Sequence, residues 1–214
     1  MNLDVGAGGV RKSMWPDDRF LYDVTSVLEQ FDGPEAQRPD RAQARRLVQD
    51  LELLADREPR LAERCYGLQA RIYLKLQEFE QALLSVERAI AMAPLDPGLV
   101  VLRGEIHQGQ DAYSAALRDF SEALERNPEA VTARMHRAEI QLAGGDPASA
   151  LTDITDALRQ EPRSARLLYR RGLILIDLRR AKEACADFQA AARLATDPVL
   201  RAKAEKRLRE LGIS

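Results

Sequence analysis

From about residue 63 onward, small and apolar residues return at one fixed interval, with polar residues filling the space between. Ala70, Gly104, Ala138 and Gly172 are spaced by 34, as are Ala82, Ala116, Ala150 and Ala184, and again Ala89, Ala123, Ala157 and Ala191. Two apolar ladders keep the same step: Val86, Phe120, Ile154 and Phe188, and Leu83, Leu117, Leu151 and Cys185. Within each copy the apolar positions fall at helical spacing. A fixed period of this length predicts a stack of repeated units, because one unit cannot bury its apolar face alone. Small side chains at constant points let helix axes approach to the short end of the usual range, about 8 Å. The small ladders therefore mark helix crossings.

Breaks recur with the ladders. Pro94, Pro128 and Pro162 stand near the end of each copy, where a missing N–H and a steric clash stop a helix. The next helix starts with Asp96 before Pro97, or with Ser164, as its cap. Inside the third copy "GGDP", Gly144 to Pro147, separates two helical patterns, with Asp146 as cap. Each copy reads as a helical hairpin.

One charge pattern keeps the register. Arg103, Arg137 and Arg171 recur on the first helix, and Asp119, Asp153 and Asp187 on the second. In the first copy both charges vanish together, replaced by Gln69 and Ser85. Joint loss predicts that Arg and Asp of one hairpin face each other as a structural salt bridge, with an Arg ladder for a ligand as the alternative.

The two ends depart from the period. "PDDRFLYDVTSVLEQF" sets Phe20, Leu21, Val24, Val27, Leu28 and Phe31 on one helix face, with Asp17 and Asp18 in the favourable first turn. "DGPEAQRP" then breaks the chain, and a second helix from about Asp40 to Asp56 carries Leu47, Val48, Leu51 and Leu54. The second helix is expected to cap the first hairpin. The first either packs on the stack or docks in the groove of its own or a neighbouring chain, giving autoinhibition or a dimer. At the other end "DPVLRAKAEKRLRELG" predicts a capping helix with Asp197 as N-cap, Gly212 as stop, and an apolar side of Val199, Leu200, Ala204, Leu208 and Leu211.

The repeated positions resemble the tetratricopeptide repeat (TPR), a helix-turn-helix of the same period. Its frame of early aromatic, small-x-x-Tyr, Ala, aromatic, Ala and Pro is met in the first copy by Tyr66, Ala70, Tyr73, Ala82, Val86, Ala89 and Pro94. Later copies depart: His107, Gln141 and Leu175 replace the Tyr, Arg134 replaces the early aromatic, and Thr196 stands where the fourth Pro belongs. The resemblance implies an all-α TPR α-solenoid, a right-handed superhelix of hairpins. It divides the chain into a disordered start at 1–15, an amino-terminal helical extension at 16–62, four repeats at 63–96, 97–130, 131–164 and 165–198, and a capping helix at 199–214.

In that family the first helices line a concave face that receives a peptide or a partner helix. Carried over by position, the face comprises Arg64, Arg71 and Lys75; Val101, Glu105 and Gln108; Thr132, Met135, Glu139 and Leu142; and Arg166, Tyr169, Arg170, Leu173 and Ile176. The family's carboxylate clamp needs Lys and Asn at set positions. Arg166 and Arg170 resemble its basic half, but Val101, Glu105 and His136 occupy other matching positions. An internal peptide or a helix is the ligand implied.

Composition narrows the chemistry. Over 214 residues, 32 basic against 34 acidic side chains leave a formal charge of −2, so no global field draws nucleic acid or anionic membrane. Arg201, Lys203, Lys206, Arg207 and Arg209 near the end are interrupted by Glu205 and Glu210, and lack the aromatics that stack on bases. No apolar run is long enough to cross a bilayer, and no secretory signal is expected. Cys65 and Cys185, the two cysteines, sit at apolar ladder positions and suit a reducing, cytoplasmic setting as buried small residues.

"GAGGVRKS", Gly6 to Ser13, approaches a phosphate-binding loop, but Arg11 takes the place of its last Gly and no strand precedes it. His107 and His136 have no second His or thiol at ligand spacing, so no metal and no cofactor are expected. No nucleophile pairs with a base, and no enzyme is read. The expectation is a cytoplasmic adapter or scaffold that binds a protein segment, with a self-assembling structural protein as the alternative.

Overall fold

Helix ends are set by short-range chemistry that repeats with the period. The computed structural model describes residues 17–31 and 39–212, with side chains from Phe20 onward. The expected disordered start, the Gly6–Ser13 segment and most of the break after Phe31 lie outside the described residues. Two units result, residues 1–92 and 93–214.

The first unit holds α1 (Asp17–Gln30), α2 (Arg41–Arg57), a 3-10 turn (Pro59–Leu61), α3 (Ala62–Lys75) and α4 (Phe79–Met92). Asp40 and Gln43 close a reciprocal capping box on α2. The α3–α4 hairpin receives α2, and α1 lies on α3. Leu21, Val24 and Leu28 of α1 join Val48, Leu51, Cys65 and Ile72 in one core. The amphipathic face of α1 is thus used within its own unit.

In the second unit α5 (Pro97–Gly109) pairs with α6 (Tyr113–Arg126), α7 (Val131–Ala143) with α8 (Pro147–Gln160), and α9 (Ala165–Asp177) with α10 (Ala181–Leu194); α11 (Pro198–Glu210) packs on α9 and α10. Asp96, Asp146 and Asp197 each accept a backbone N–H at the start of α5, α8 and α11. Ser164, expected to cap α9, makes no such bond; it starts the helix through backbone conformation alone.

The turn inside each hairpin is the same. Gln77, Asp111, Gly145 and Arg179, spaced by 34, all adopt left-handed φ of 60°, 58°, 83° and 61°. The N–H groups of Glu78, Ala112, Asp146 and Arg180 then donate back to the carbonyls of Tyr73, His107, Gln141 and Leu175 at 2.8–2.9 Å. This is the Schellman closure, which satisfies helix-end carbonyls and reverses the chain.

Crossings depend on volume matching. A Cβ added at Gly104 would lie 2.6 Å from Phe120, and one at Gly172 would lie 2.6 Å from Phe188. At the same register the other hairpins set Ala70 with Val86 and Ala138 with Ile154, all buried. A larger residue on the second helix therefore goes with a smaller one on the first. Expected core positions differ in two ways: the whole ladder of Leu83, Leu117, Leu151 and Cys185 is only half-buried, and Val199, at the first turn of α11, is 58% exposed.

Candidate functional site

Charged side chains on the hairpins divide into those that hold two helices together and those that face outward. In the second unit Arg103 donates through Nε and Nη2 to one oxygen of Asp119, at 2.9 and 2.6 Å. His107 Nδ1 takes the other oxygen at 2.7 Å, so the replacement of the family's Tyr completes that carboxylate's coordination. Arg137 and Arg171 instead grip both oxygens of Asp153 and Asp187, every contact at 2.7 Å. Hydrogen bonding to the carboxylates pushes both guanidinium pKa values up, against the opposing effect of burial. The three aspartates are 7%, 5% and 8% exposed at the side chain, so these arginines are committed internally. In the first unit Gln69 fills the Arg register and donates to Val48 O at 3.0 Å and Glu52 Oε2 at 2.9 Å, tying α3 to α2.

On α3, Arg64, Arg71 and Lys75 are exposed. In the second unit Val101 is not part of an open face. It is 9% exposed and packs with Val100, Phe120 and Ala133, because its small branched side chain fits the gap beside Phe120. Glu105 and Gln108 reach His136, at 3.4 Å to Nε2 and 3.0 Å to Nδ1. The His136 ring stacks on Phe120, centroids 5.5 Å apart. Glu139 Oε1 lies 2.7 Å from Arg170 Nη2 but is poorly aligned for a hydrogen bond, so that contact is chiefly electrostatic. Neighbouring first helices are thus linked by a row of polar contacts from Glu105 to Arg170.

Beyond that row the surface combines apolar and charged side chains. A cavity of about 300 Å³ opens between α7 and α9, with Leu142, Leu173 and Ile174 in its lining and Glu139, Arg170 and Asp177 at its polar edge. A second, of about 280 Å³, continues toward α11 past Ile176, Phe188 and Leu211, with Arg207 and Glu210 beside them. Both share Leu142, Leu173 and Asp177, so they adjoin. Tyr169 leans on Phe188, rings 5.6 Å apart and tilted by 53°. Arg207 donates to Glu210 Oε2 at 2.8 Å. Its pKa is pushed up by that bond first and by one to Tyr169 second. Met135 is half-buried, whereas Thr132 and Arg166 are exposed and line neither cavity.

His136, Asp177, Arg207, Glu210 and Leu211 are absent from the set carried over by family position. Carrying the period into α11 finds three of them, since Arg207, Glu210 and Leu211 lie 34 beyond Leu173, Ile176 and Asp177. Among the described residues no group of three or more His, Cys, Asp or Glu is placed to hold a metal ion. None of their helices is long and apolar enough to cross a membrane.

Paired helices with a Schellman turn and Gly–Phe or Ala–Ile crossings at one register define a helical-hairpin repeat protein. Tetratricopeptide-repeat models match residues 69–141 and 140–198, together more than half of the chain. The chain belongs to the tetratricopeptide-repeat family. It is similar in fold to TTC0263, a thermophilic TPR protein of Thermus thermophilus, with TM-score 0.71 and 19% identity over 91% of this chain and 100% of that one. YrrB, a TPR protein with an unusual peptide-binding site, matches with TM-score 0.60 and 18% identity over 89% of this chain and 90% of its own. MamA matches with TM-score 0.59 and 13% identity, over 76% and 89% respectively. At these identities the likeness is one of fold.

Proposed function

We propose that the protein is a non-enzymatic, cytoplasmic adapter that binds a peptide or helix of a partner protein on the inner side of α7, α9 and α11. The observation that carries this reading is the pair of adjoining cavities floored by Leu142 and Leu173, with the surrounding arginines already held in place by Glu139 and Glu210. A concave apolar floor with a few fixed polar groups is the usual form of a binding site. YrrB, a TPR protein with an unusual peptide-binding site, supports the same use of the fold.

The experiment is affinity co-purification from the source cells with wild-type protein and Leu173→Glu, circular dichroism checking that the variant folds. A discrete partner held by wild type and lost by the variant is expected. Equal capture by both would overturn the reading. Self-assembly through α1 would require Leu21, Val24 and Leu28 to leave their own core, and sedimentation over a range of concentrations separates that alternative.

A further inference from the structure

The chemistry of the occupant follows from which charges in the depression are already matched. Its lining carries three acids, Glu139, Asp177 and Glu210, and two bases, Arg170 and Arg207. Arg170 sits 2.7 Å from Glu139, and Arg207 sits 2.8 Å from Glu210. Asp177 is left over. The nearby Arg180 does not serve it, because both its Nε and Nη2 are taken by Glu183 at 2.7 Å. Asp177 also closes α9, where the helix dipole adds negative potential.

The uncompensated carboxylate belongs to both cavities and stands over Leu142 and Leu173. Asp177 is itself exposed, so its attraction for a cation is screened by solvent and adds to the apolar contact on Leu142 and Leu173 rather than replacing it. We infer that the groove takes a partner segment bearing a large apolar side chain close to a lysine or arginine, the apolar group on Leu142 and Leu173 and the cation on Asp177. This inference rests on the groove being the binding site, and it gives that site a charge preference opposite to a carboxylate clamp. A terminal carboxylate would meet Asp177, with the charge of each arginine already offset by Glu139 or Glu210.

The test uses a displayed library of random dodecapeptides, selected against wild-type protein, Asp177→Asn, Asp177→Lys and Leu173→Glu. Asp177 is exposed, so its variants keep the fold; Leu142→Glu replaces Leu173→Glu if the latter lowers the melting transition. Wild type is expected to enrich peptides that pair Leu, Met or an aromatic with Lys or Arg, with affinity falling as salt rises. Those peptides should bind Asp177→Asn about two- to fivefold more weakly. Asp177→Lys should lose the basic preference. Peptides lost by Leu173→Glu but equally tight on Asp177→Asn, or without basic bias, overturn the cation subsite and leave the groove standing. No enrichment by wild type, or equal binding to Leu173→Glu, overturns both.

Discussion

Gly145 and Arg179 occupy the same left-handed turn with different side chains, so the two positions measure what that backbone costs. A Cβ at Gly145 would meet nothing within 4 Å, and φ there is 83°, so Gly145→Ala isolates the conformational penalty. A loss of about 1 kcal/mol is expected in urea unfolding. Arg179→Gly removes strain at φ 61° but adds unfolded-state freedom, for a net gain of a few tenths to about 1 kcal/mol. No gain at Arg179 would mean that its side chain holds the turn in some other way. The internal pairs behave differently. Arg137→Met leaves the 5%-exposed Asp153 charged with only Arg134 beside it, 3.7 Å away, and about 1–3 kcal/mol should be lost. Adding Asp153→Leu should restore most of it, which a double-mutant cycle reads directly. The joint replacement of Arg and Asp by Gln69 and Ser85 points to this contact before any geometry is known. The turn is marked less evenly: Gly145 and, more weakly, Asp111 suit a positive φ, whereas Gln77 and Arg179 at the same register give no such sign.

At the scale of paired helices the informative feature is the exchange of volume between partners. Gly104→Ala brings a Cβ to 2.6 Å from Phe120, and overpacking of this kind should cost about 1–3 kcal/mol. The double change Gly104→Ala with Phe120→Ile reproduces the Ala138 and Ile154 combination and should recover much of the loss. Thermal melts of the three variants decide it; no recovery would mean that the rest of the hairpin is also fitted to the ring. The ladders of small and apolar residues are legible in the sequence because the period forces each to meet the same neighbour in every copy. The depression on α7, α9 and α11 is only partly so. Leu142, Leu173 and Ile176 follow the family's positions, whereas Asp177 departs from Ala143 at its register without any repeated signal. Val101 shows the converse limit, since a position that faces outward in the frame is filled here by a side chain small enough to sink beside Phe120.

In the molecule as a whole, α11 ends the stack of the second unit. Ala204 is fully buried, and Leu208 and Leu211 lie against the cluster of Leu175, Ala184 and Phe188. Ending the chain before Pro198 should lower the denaturation midpoint, expose that cluster to an apolar dye, and remove the Arg207 and Glu210 side of the depression. An unchanged midpoint would show that α10 closes the stack without it. Stability in such arrays is a sum of terms within and between repeats, so damage at the end should be felt most by α9 and α10. The volume match bears also on how such a chain can be copied. Each glycine and its phenylalanine lie in one hairpin, 16 positions apart. A duplication or crossover whose ends fall between hairpins, near Asn127 to Ala130, carries both members together. One whose ends fall inside a hairpin, near Asp111, can join a first helix bearing alanine to a second helix bearing phenylalanine and create a clash at the joint. Gene rearrangement is therefore tolerated in whole-hairpin steps, and the connections between hairpins are the places where such a chain lengthens or shortens.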